Sequence, residues 1–147
     1  MSANRTQNRR NVANYGNIKL YGGTGNMALA EKIGDYLDTK LSGCDITHFS
    51  NDNLFVRLHS SARGQDVYVI QSTAAPVHNN LMELLIMIQT LRLDSAARIT
   101  AVIPYLSYAR SDKKDQPRVP ITARLVADMI EVAGADRYMT LDLHAGQ

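Results

Sequence analysis

The sequence predicts an α/β fold: a three-layer, doubly wound and mostly parallel sheet with helices on both faces. From residue 17 onward, short runs rich in β-branched and aromatic residues alternate with longer helical stretches, as in folds of this class. Two of the runs, Asp66 to Gln71 and Arg98 to Ile103, are almost continuously apolar or β-branched, which is typical of strands buried on both faces. The chain has 147 residues, enough for one domain with a substantial core.

The first elements lie between residues 17 and 58. Asn17 to Tyr21 predicts a strand that ends in two glycines, and Thr24 is expected to cap a helix running to about Leu41. Two short apolar segments, Ile46 to Phe49 and Leu54 to Leu58, flank a polar turn. They predict either a hairpin or two strands of different sheets.

The second half continues the alternation of strands and helices. The stretch from Asn79 to Leu93 is too long for a strand and apolar almost all round, so it predicts a helix packed against the sheet. The other expected elements are a strand at 66–71, a strand at 98–103, a polar loop at 105–120, a helix at 121–132 and a last strand at 136–143.

Composition excludes several classes of protein. Lys and Arg total 16 against 14 Asp and Glu, but residues 1–15 hold three arginines and no acid, so the remaining body is near neutral. A neutral body lacks the electrostatic footprint of a duplex nucleic-acid binder. The single Cys44 excludes an internal disulfide, and no apolar run approaches the roughly 20 residues that span a bilayer. We therefore expect a cytoplasmic protein without nucleic-acid or membrane partners.

Residues 1–16 are rich in Asn and Arg and poor in apolar side chains. Such a composition cannot offset the entropy of ordering the chain, which predicts a disordered leader. An arm between subunits is the alternative.

A glycine-rich segment, Gly22 to Ala28, follows the first predicted strand. Its spacing loosely satisfies the dinucleotide-binding pattern, in which a pyrophosphate sits on a helix N-terminus. That pattern also places an acid at the end of the second strand, whereas Asp45 lies at its start. We therefore favour an ordinary strand-to-helix turn and keep a dinucleotide-binding oxidoreductase domain as an alternative.

A charged loop follows the buried strand that ends at Ile103, where α/β sheets place their ligand crevice. Cations in such a loop bind a polyphosphate, and carboxylates bind metal-bound water or ribose hydroxyls. An ordinary solvated loop is the alternative. The charged residues are the four cations Arg110, Lys113, Lys114 and Arg118 and the acids Asp112 and Asp115.

Asp142 and His144 stand two residues apart at the end of the last predicted strand. Alternate residues of a strand point to the same face, so both side chains are expected to project towards the charged loop. A carboxylate beside an imidazole suits a Mg²⁺ or phosphate site. Of the other histidines, His48 suits either the core or the site, and His59 and His78 are expected at the surface.

Five blocks in this order resemble the ribose-phosphate pyrophosphokinases, and the resemblance extends from about residue 17 to residue 147. It implies a phosphoribosyltransferase-like N-terminal domain at 17–147. The blocks are Phe49-Ser50-Asn51, Arg63 to Tyr68, Asn79 to Leu85, Pro104 to Asp115 and Asp142 to Ala145.

The resemblance implies transfer of the diphosphoryl group of MgATP to ribose 5-phosphate, which yields phosphoribosyl pyrophosphate and AMP. It further implies Mg²⁺ as cofactor, inorganic phosphate as activator and a homo-oligomer, either a dimer or a hexamer. The family's second catalytic domain is not recognisable, since no Asp-Asp followed by Thr-Gly occurs. We therefore expect the chain to be inactive alone. A non-catalytic regulatory or assembly subunit of such an enzyme is the alternative.

Site residues are likewise implied by the resemblance. Arg110, Ser111, Asp112 and Asp115 would lie in the ATP site, and Asp142 and His144 at the catalytic Mg²⁺–phosphate centre. Phe49 would stack on the nucleotide of a neighbouring subunit, with Asn51 and Asn53 contacting its base, while Arg63 and Arg118 would form a regulatory phosphate site. Family members commonly carry Glu in place of Asn53 and Gln in place of Ser111, so contacts to the base are expected to differ here.

Overall fold

The computed structural model describes residues 15–141 and 143–145. Strands and helices alternate along most of this length, and a single turn of 3-10 helix at Thr24–Asn26 precedes the first α-helix. The strands are β1 Ile18–Gly22, β2 Cys44–His48, β3 Leu54–Leu58, β4 Asp66–Ile70, β5 Arg98–Ile103 and β6 Arg137–Thr140; the helices are α1 Met27–Tyr36, α2 Val77–Leu93 and α3 Thr122–Ala133.

Four strands form one parallel sheet in the order β1-β4-β5-β6. Leu20 pairs with Tyr68, which pairs in turn with Thr100, and Thr100 pairs with Arg137. Parallel neighbours need crossover connections, which the helices between them supply. The predicted α/β fold with a mostly parallel sheet is confirmed.

The two faces of the sheet bury different residues, because side chains alternate along a strand. Leu20 and Ile70 pack with Ala30 of α1 on one face. Val67 and Ile99 belong to the larger cluster on the other face, which includes residues of α2 and α3. Helices therefore cover both faces, and the three layers are α1, the sheet, and α2 with α3.

The two short apolar segments form a hairpin. β2 and β3 pair antiparallel in a two-stranded sheet of their own, with His48 opposite Leu54. Val56 is buried in the larger core cluster, and Ile46 packs against that cluster. The hairpin is therefore held against the domain by its inner apolar face, and its tip at residues 49–53 is exposed.

The predicted start and end of α1 are wrong. Thr24 opens the 3-10 turn, and Asn26 caps α1 by accepting a hydrogen bond from the Leu29 amide at 3.1 Å. The helix ends at Tyr36, and Asp38 takes a left-handed backbone conformation with φ 49°. Leu41 instead pairs with Leu20 alongside β1. Because Leu41 pairs with β1, it cannot belong to the helix, and helix periodicity does not reveal this pairing.

The prediction that the last strand continues to Leu143 is also wrong. β6 ends at Thr140, whose partner Ile103 is the last residue of β5. His144 therefore lies beyond the strand in an exposed bend, and Asp142 is outside the described residues. The prediction that Asp142 and His144 share a face assumed that both residues belong to the strand. Because His144 lies beyond β6, that assumption does not hold for it.

Part of the predicted leader contacts the domain. The guanidinium of Arg98 lies 4.1 Å from the centroid of the Tyr15 ring, a cation–π contact, and the Gly16 amide donates to Gly64 O at 3.1 Å. Tyr15 and Gly16 therefore belong to the folded part of the chain, while residues 1–14 lie outside the described residues. Among the described residues, no helix is both long and apolar enough to cross a bilayer.

Asp45 joins the two strands at the base of the hairpin. Its carboxylate lies 2.7 Å from His59 Nε2 and accepts a hydrogen bond from Arg57 Nη2 at 2.8 Å. The bond with His59, and then that with Arg57, lower the pKa of Asp45 below its ordinary value.

We expect Asp45→Asn to destabilise the domain at about pH 7 and to have a smaller effect near pH 2.5. The stabilisation by the ionised carboxylate is complete above the usual aspartate pKa of about 3.9 and is lost as the pH falls through the lower native pKa. Urea unfolding of both proteins at the two pH values measures the difference. Asp35→Asn, on the exposed side of α1, is the control. A deficit in Asp45→Asn that is equal at both pH values would contradict the prediction.

Candidate functional site

A cleft of about 940 Å³ runs along α3, between the loop that follows β5 and the residues that flank β6. Asp112 of the loop and His144, beyond β6, both line it. The structure thus brings together one residue from each of the two predicted clusters. Charged residues that the sequence analysis did not select also line the cleft: Arg124, Asp128, Glu131, Asp136 and Arg137.

Asp112 has an unsatisfied carboxylate oxygen. Its Oδ1 atom is buried and has no hydrogen-bond partner among residues 15–141 and 143–145. A buried acceptor without a partner is costly, so such an atom in a native protein needs an explanation. A ligand hydroxyl, amine or metal-bound water in the cleft would supply the missing partner.

Ser111 connects the charged loop to the start of α3. Its Oγ accepts a hydrogen bond from the Thr122 amide at 3.3 Å, and its carbonyl oxygen accepts from the Ala123 amide at 3.0 Å. Ile121, the residue before the helix, provides no side-chain cap. Ser111 therefore satisfies amides that the first turn of a helix leaves free.

Ser111→Ala is expected to lower the unfolding free energy by about 1 kcal/mol, the usual cost of losing a capping hydroxyl. Thermal or urea unfolding measures the loss. Ser50→Ala on the exposed hairpin tip is the matched control and should leave stability unchanged. Equal stability of the two variants would show that Ser111 does not cap α3.

The loop is also tied to α2. Tyr108 has a left-handed backbone with φ 64°, and its hydroxyl lies 2.9 Å from Nε2 of His78. His78 is at the surface, as predicted, and it contacts this loop. The four selected cations Arg110, Lys113, Lys114 and Arg118 are exposed on the same loop, as is Asp115. None of these five is among the described residues that line the cleft.

The candidate residues of the hairpin tip are not among those that line this cleft. Phe49 is 51% exposed and lines a shallow groove with Phe55 and Arg57. Asn51 and Asn53 are joined within the turn, because Asn51 Oδ1 accepts from the Asn53 amide at 3.2 Å. The tip therefore presents an exposed aromatic ring on a turn stabilised by its own hydrogen bonds. Arg63 is exposed on a third segment, between β3 and β4.

The glycine-rich segment is occupied by the protein's own side chains. Glu83 accepts hydrogen bonds from the Thr24 amide at 2.5 Å and from the Thr24 hydroxyl at 2.6 Å. Gln71 Oε1 accepts from the Gly25 amide at 2.9 Å, and a Cβ on Gly25 would lie 2.6 Å from the Ser72 carbonyl oxygen. The amides of Thr24 and Gly25 therefore already donate to side chains of the protein and are not free to bind a pyrophosphate. This argues against the dinucleotide-binding alternative. The interpretation as a strand-to-helix turn is the one the structure supports.

Sequence reasoning missed Glu83 and Gln71, which are 1% and 0% exposed. An acid within the apolar run of α2 was the available signal, since buried carboxylates are rare unless paired. Within residues 15–141 and 143–145, no group of three or more His, Cys, Asp or Glu side chains is arranged to hold a metal ion.

Comparison with known proteins decides the family. The family described as the N-terminal domain of ribose phosphate pyrophosphokinase matches residues 18–134. The chain belongs to the ribose-phosphate pyrophosphokinase family. Curated relatives with the name ribose-phosphate pyrophosphokinase include those of Hyphomonas neptunium, 52% identical over 88% of this chain, and Caldanaerobacter subterraneus, 53% identical over 92%.

A solved structure agrees with this assignment. The phosphoribosylpyrophosphate synthetase of Mycobacterium smegmatis is 45% identical and superposes over 90% of this chain with a TM-score of 0.88. The chain covers 44% of that protein, and it covers 42% and 43% of the two curated relatives. It therefore spans less than half the length of the family members it matches.

Proposed function

We propose that this chain is the N-terminal, nucleotide-binding part of a ribose-phosphate diphosphokinase. The reaction would transfer the diphosphoryl group of MgATP to the anomeric hydroxyl of ribose 5-phosphate, giving phosphoribosyl pyrophosphate and AMP. The observation that carries the proposal is the unsatisfied Asp112 oxygen in a cleft shared with His144. Membership of the family over residues 18–134 supports the same assignment.

The chemistry of this reaction suits the residues present. Transfer of a phosphoryl-type group requires positioning and neutralisation of charge more than a covalent nucleophile. Asp112 would accept a hydrogen bond from the nucleotide or from metal-bound water. Arg110, exposed on the same loop outside the cleft, would neutralise charge on phosphates that extend beyond the cleft. The hydrogen bond from the Thr122 amide to Ser111 Oγ, 3.3 Å long, would fix the position of the loop between Arg110 and Asp112.

The charge of the polyphosphate also implies Mg²⁺. Asp142 and His144 would hold it, as the family resemblance implies, and the Asp112 carboxylate would accept hydrogen bonds from water bound to the ion. A carboxylate left without a hydrogen-bond partner fits this role, because Mg²⁺ is bound through few carboxylates and keeps several waters. When bound, the ion would neutralise charge on the transferred group. Inorganic phosphate as activator at Arg63 and Arg118, a dimer or hexamer, and a cytoplasmic location stay predictions of the same assignment.

Titration of the chain with MgATP in a calorimeter tests the nucleotide site. We expect saturable binding, and we expect Asp112→Asn and Arg110→Ala each to weaken it about tenfold, the loss of one charge-assisted contact. Lys32→Ala, on the exposed side of α1, is the control and should bind like the wild type. Absence of saturable binding by the wild type would contradict the proposed function. Saturable binding of NAD without binding of ATP would do so as well.

The same preparations test whether the 147 residues act alone. We expect no release of AMP from MgATP and ribose 5-phosphate above background, because the chain spans only 42% of a relative such as that of Hyphomonas neptunium. AMP formation that depends on ribose 5-phosphate would overturn this part of the proposal.

A further inference from the structure

Glu83 is the centre of a buried polar network. Its side chain is 1% exposed and accepts hydrogen bonds from the Thr24 amide, from the Thr24 hydroxyl and from Gln71 Nε2 at 3.0 Å. Gln71 is fully buried and also donates to the Asn80 carbonyl oxygen at 3.2 Å. The network thus fixes the Glu83 carboxylate between the 3-10 turn, the end of β4 and α2.

Two titratable side chains of β2 face this carboxylate. His48 Nε2 lies 4.0 Å from Glu83 Oε2, and the imidazole is 50% exposed. The Cys44 thiol is the second, and its pKa is raised first by burial and then by the charge of Glu83. A protonated His48 would therefore pair with a carboxylate that cannot move away, because three donors already hold it.

His48 is the last residue of β2, and the exposed turn begins at the next residue. Within the turn, the Phe49 amide donates to the Asn53 carbonyl oxygen at 2.8 Å and the Asp52 amide donates to the Phe49 carbonyl oxygen at 3.0 Å. Asp52 has a left-handed backbone with φ 62°. The turn thus has a defined shape, and His48 is the residue at its base that meets the buried network.

We propose that Glu83 is a positioning residue that acts through His48 to orient the Phe49–Asn53 turn. A fixed carboxylate on α2 would anchor the base of the turn, so that Phe49 is presented in one direction. This inference rests on the proposed function, in which Phe49 stacks on a nucleotide. It adds two residues, Glu83 and His48, to which no role in the reaction had been given.

Amide hydrogen exchange of the turn tests the positioning directly and does not require a ligand. At about pH 6, we expect His48→Gln to lower the protection factors of the Phe49 and Asp52 amides about fivefold, the scale of one ion pair. His48→Lys, which keeps a positive charge, should restore them. His59→Gln is the matched control, since His59 contacts Asp45 at the other end of the same hairpin.

The lysine variant separates charge from packing. Equal protection in the wild type and His48→Gln would overturn the inference. A loss in His48→Gln that lysine does not restore would overturn it too, because it would indicate a packing role.

Nucleotide affinity tests the functional half of the inference separately. We expect His48→Gln to bind MgATP about fivefold more weakly than the wild type at about pH 6, and His48→Lys to bind like the wild type. Lost protection with unchanged affinity would overturn the link to the nucleotide. A wild type that binds no ATP would refute the proposed function, while the exchange experiment would still decide whether Glu83 positions the turn.

Discussion

Asp66→Ala is expected to lower the free energy of unfolding by about 3 kcal/mol, because it leaves a partly buried guanidinium without its partner. Asp66 is 5% exposed at the start of β4 and is paired with Arg98 at the start of β5. Arg98 Nε donates to Asp66 Oδ1 at 2.7 Å, and a second bond joins Arg98 Nη2 to Asp66 Oδ2. This two-point pairing raises the pKa of Arg98. In the variant the guanidinium stays charged without Asp66, because arginine does not lose its proton in proteins.

Urea unfolding compares this variant with a pair of the same chemistry at the surface. Asp128 accepts a hydrogen bond from Arg124 Nε at 2.6 Å, and its side chain is 46% exposed. Asp128→Ala should cost no more than about 0.5 kcal/mol, as exposed pairs on one helix do. Similar losses in the two variants would show that burial does not distinguish the Asp66 pair.

Glu83→Leu is expected to cost a similar amount, about 3 kcal/mol, because it leaves the buried Gln71 amide and the partly buried donors of Thr24 without an acceptor. The leucine has a comparable volume and can fill the space in α2. The Thr24 amide, the Thr24 hydroxyl and Gln71 Nε2 would nevertheless lose the carboxylate that they share. The loss is therefore electrostatic rather than one of packing.

Two controls sharpen this second expectation. Glu83→Gln keeps the shape and one acceptor oxygen, so it should cost less than the leucine variant. Gln89→Leu, on the exposed face of the same helix, should leave the unfolding free energy within about 0.5 kcal/mol of the wild type. If Glu83→Leu proved as stable as Gln89→Leu, the buried network would contribute no net stability.

Local sequence patterns predict the limits of an element well where the element is mostly apolar. β5 has its predicted limits, 98–103, and β4 and α2 differ from theirs by one and two residues, because each is apolar along nearly its whole length. The limits of α1 and β6 depend on pairings with β1 and β5, which are distant in the sequence. The residue pattern of a single segment contains no information on such pairings, so α1 and β6 both end earlier than predicted.

The position of the candidate site could be predicted from the sequence, but the roles of its individual residues could not. The charged loop after β5 is predictable because parallel strands direct their carboxyl ends to one edge of a sheet. That Asp112 lines the cleft while Arg110 and Asp115 do not depends on the folded path of the loop, which is tied to α3 through Ser111 and to α2 through Tyr108. No spacing rule predicts which member of a charged run is buried.

From the sequence alone came the alternation of strands and helices and the blocks that resemble one family; both follow from residue types and their order. Only the tertiary structure decided that β2 and β3 form a hairpin and that Glu83 meets both Thr24 and His48. The physical reason is that a buried carboxylate draws its donors from whichever elements fold around it. In this protein those donors lie up to 59 residues away along the chain.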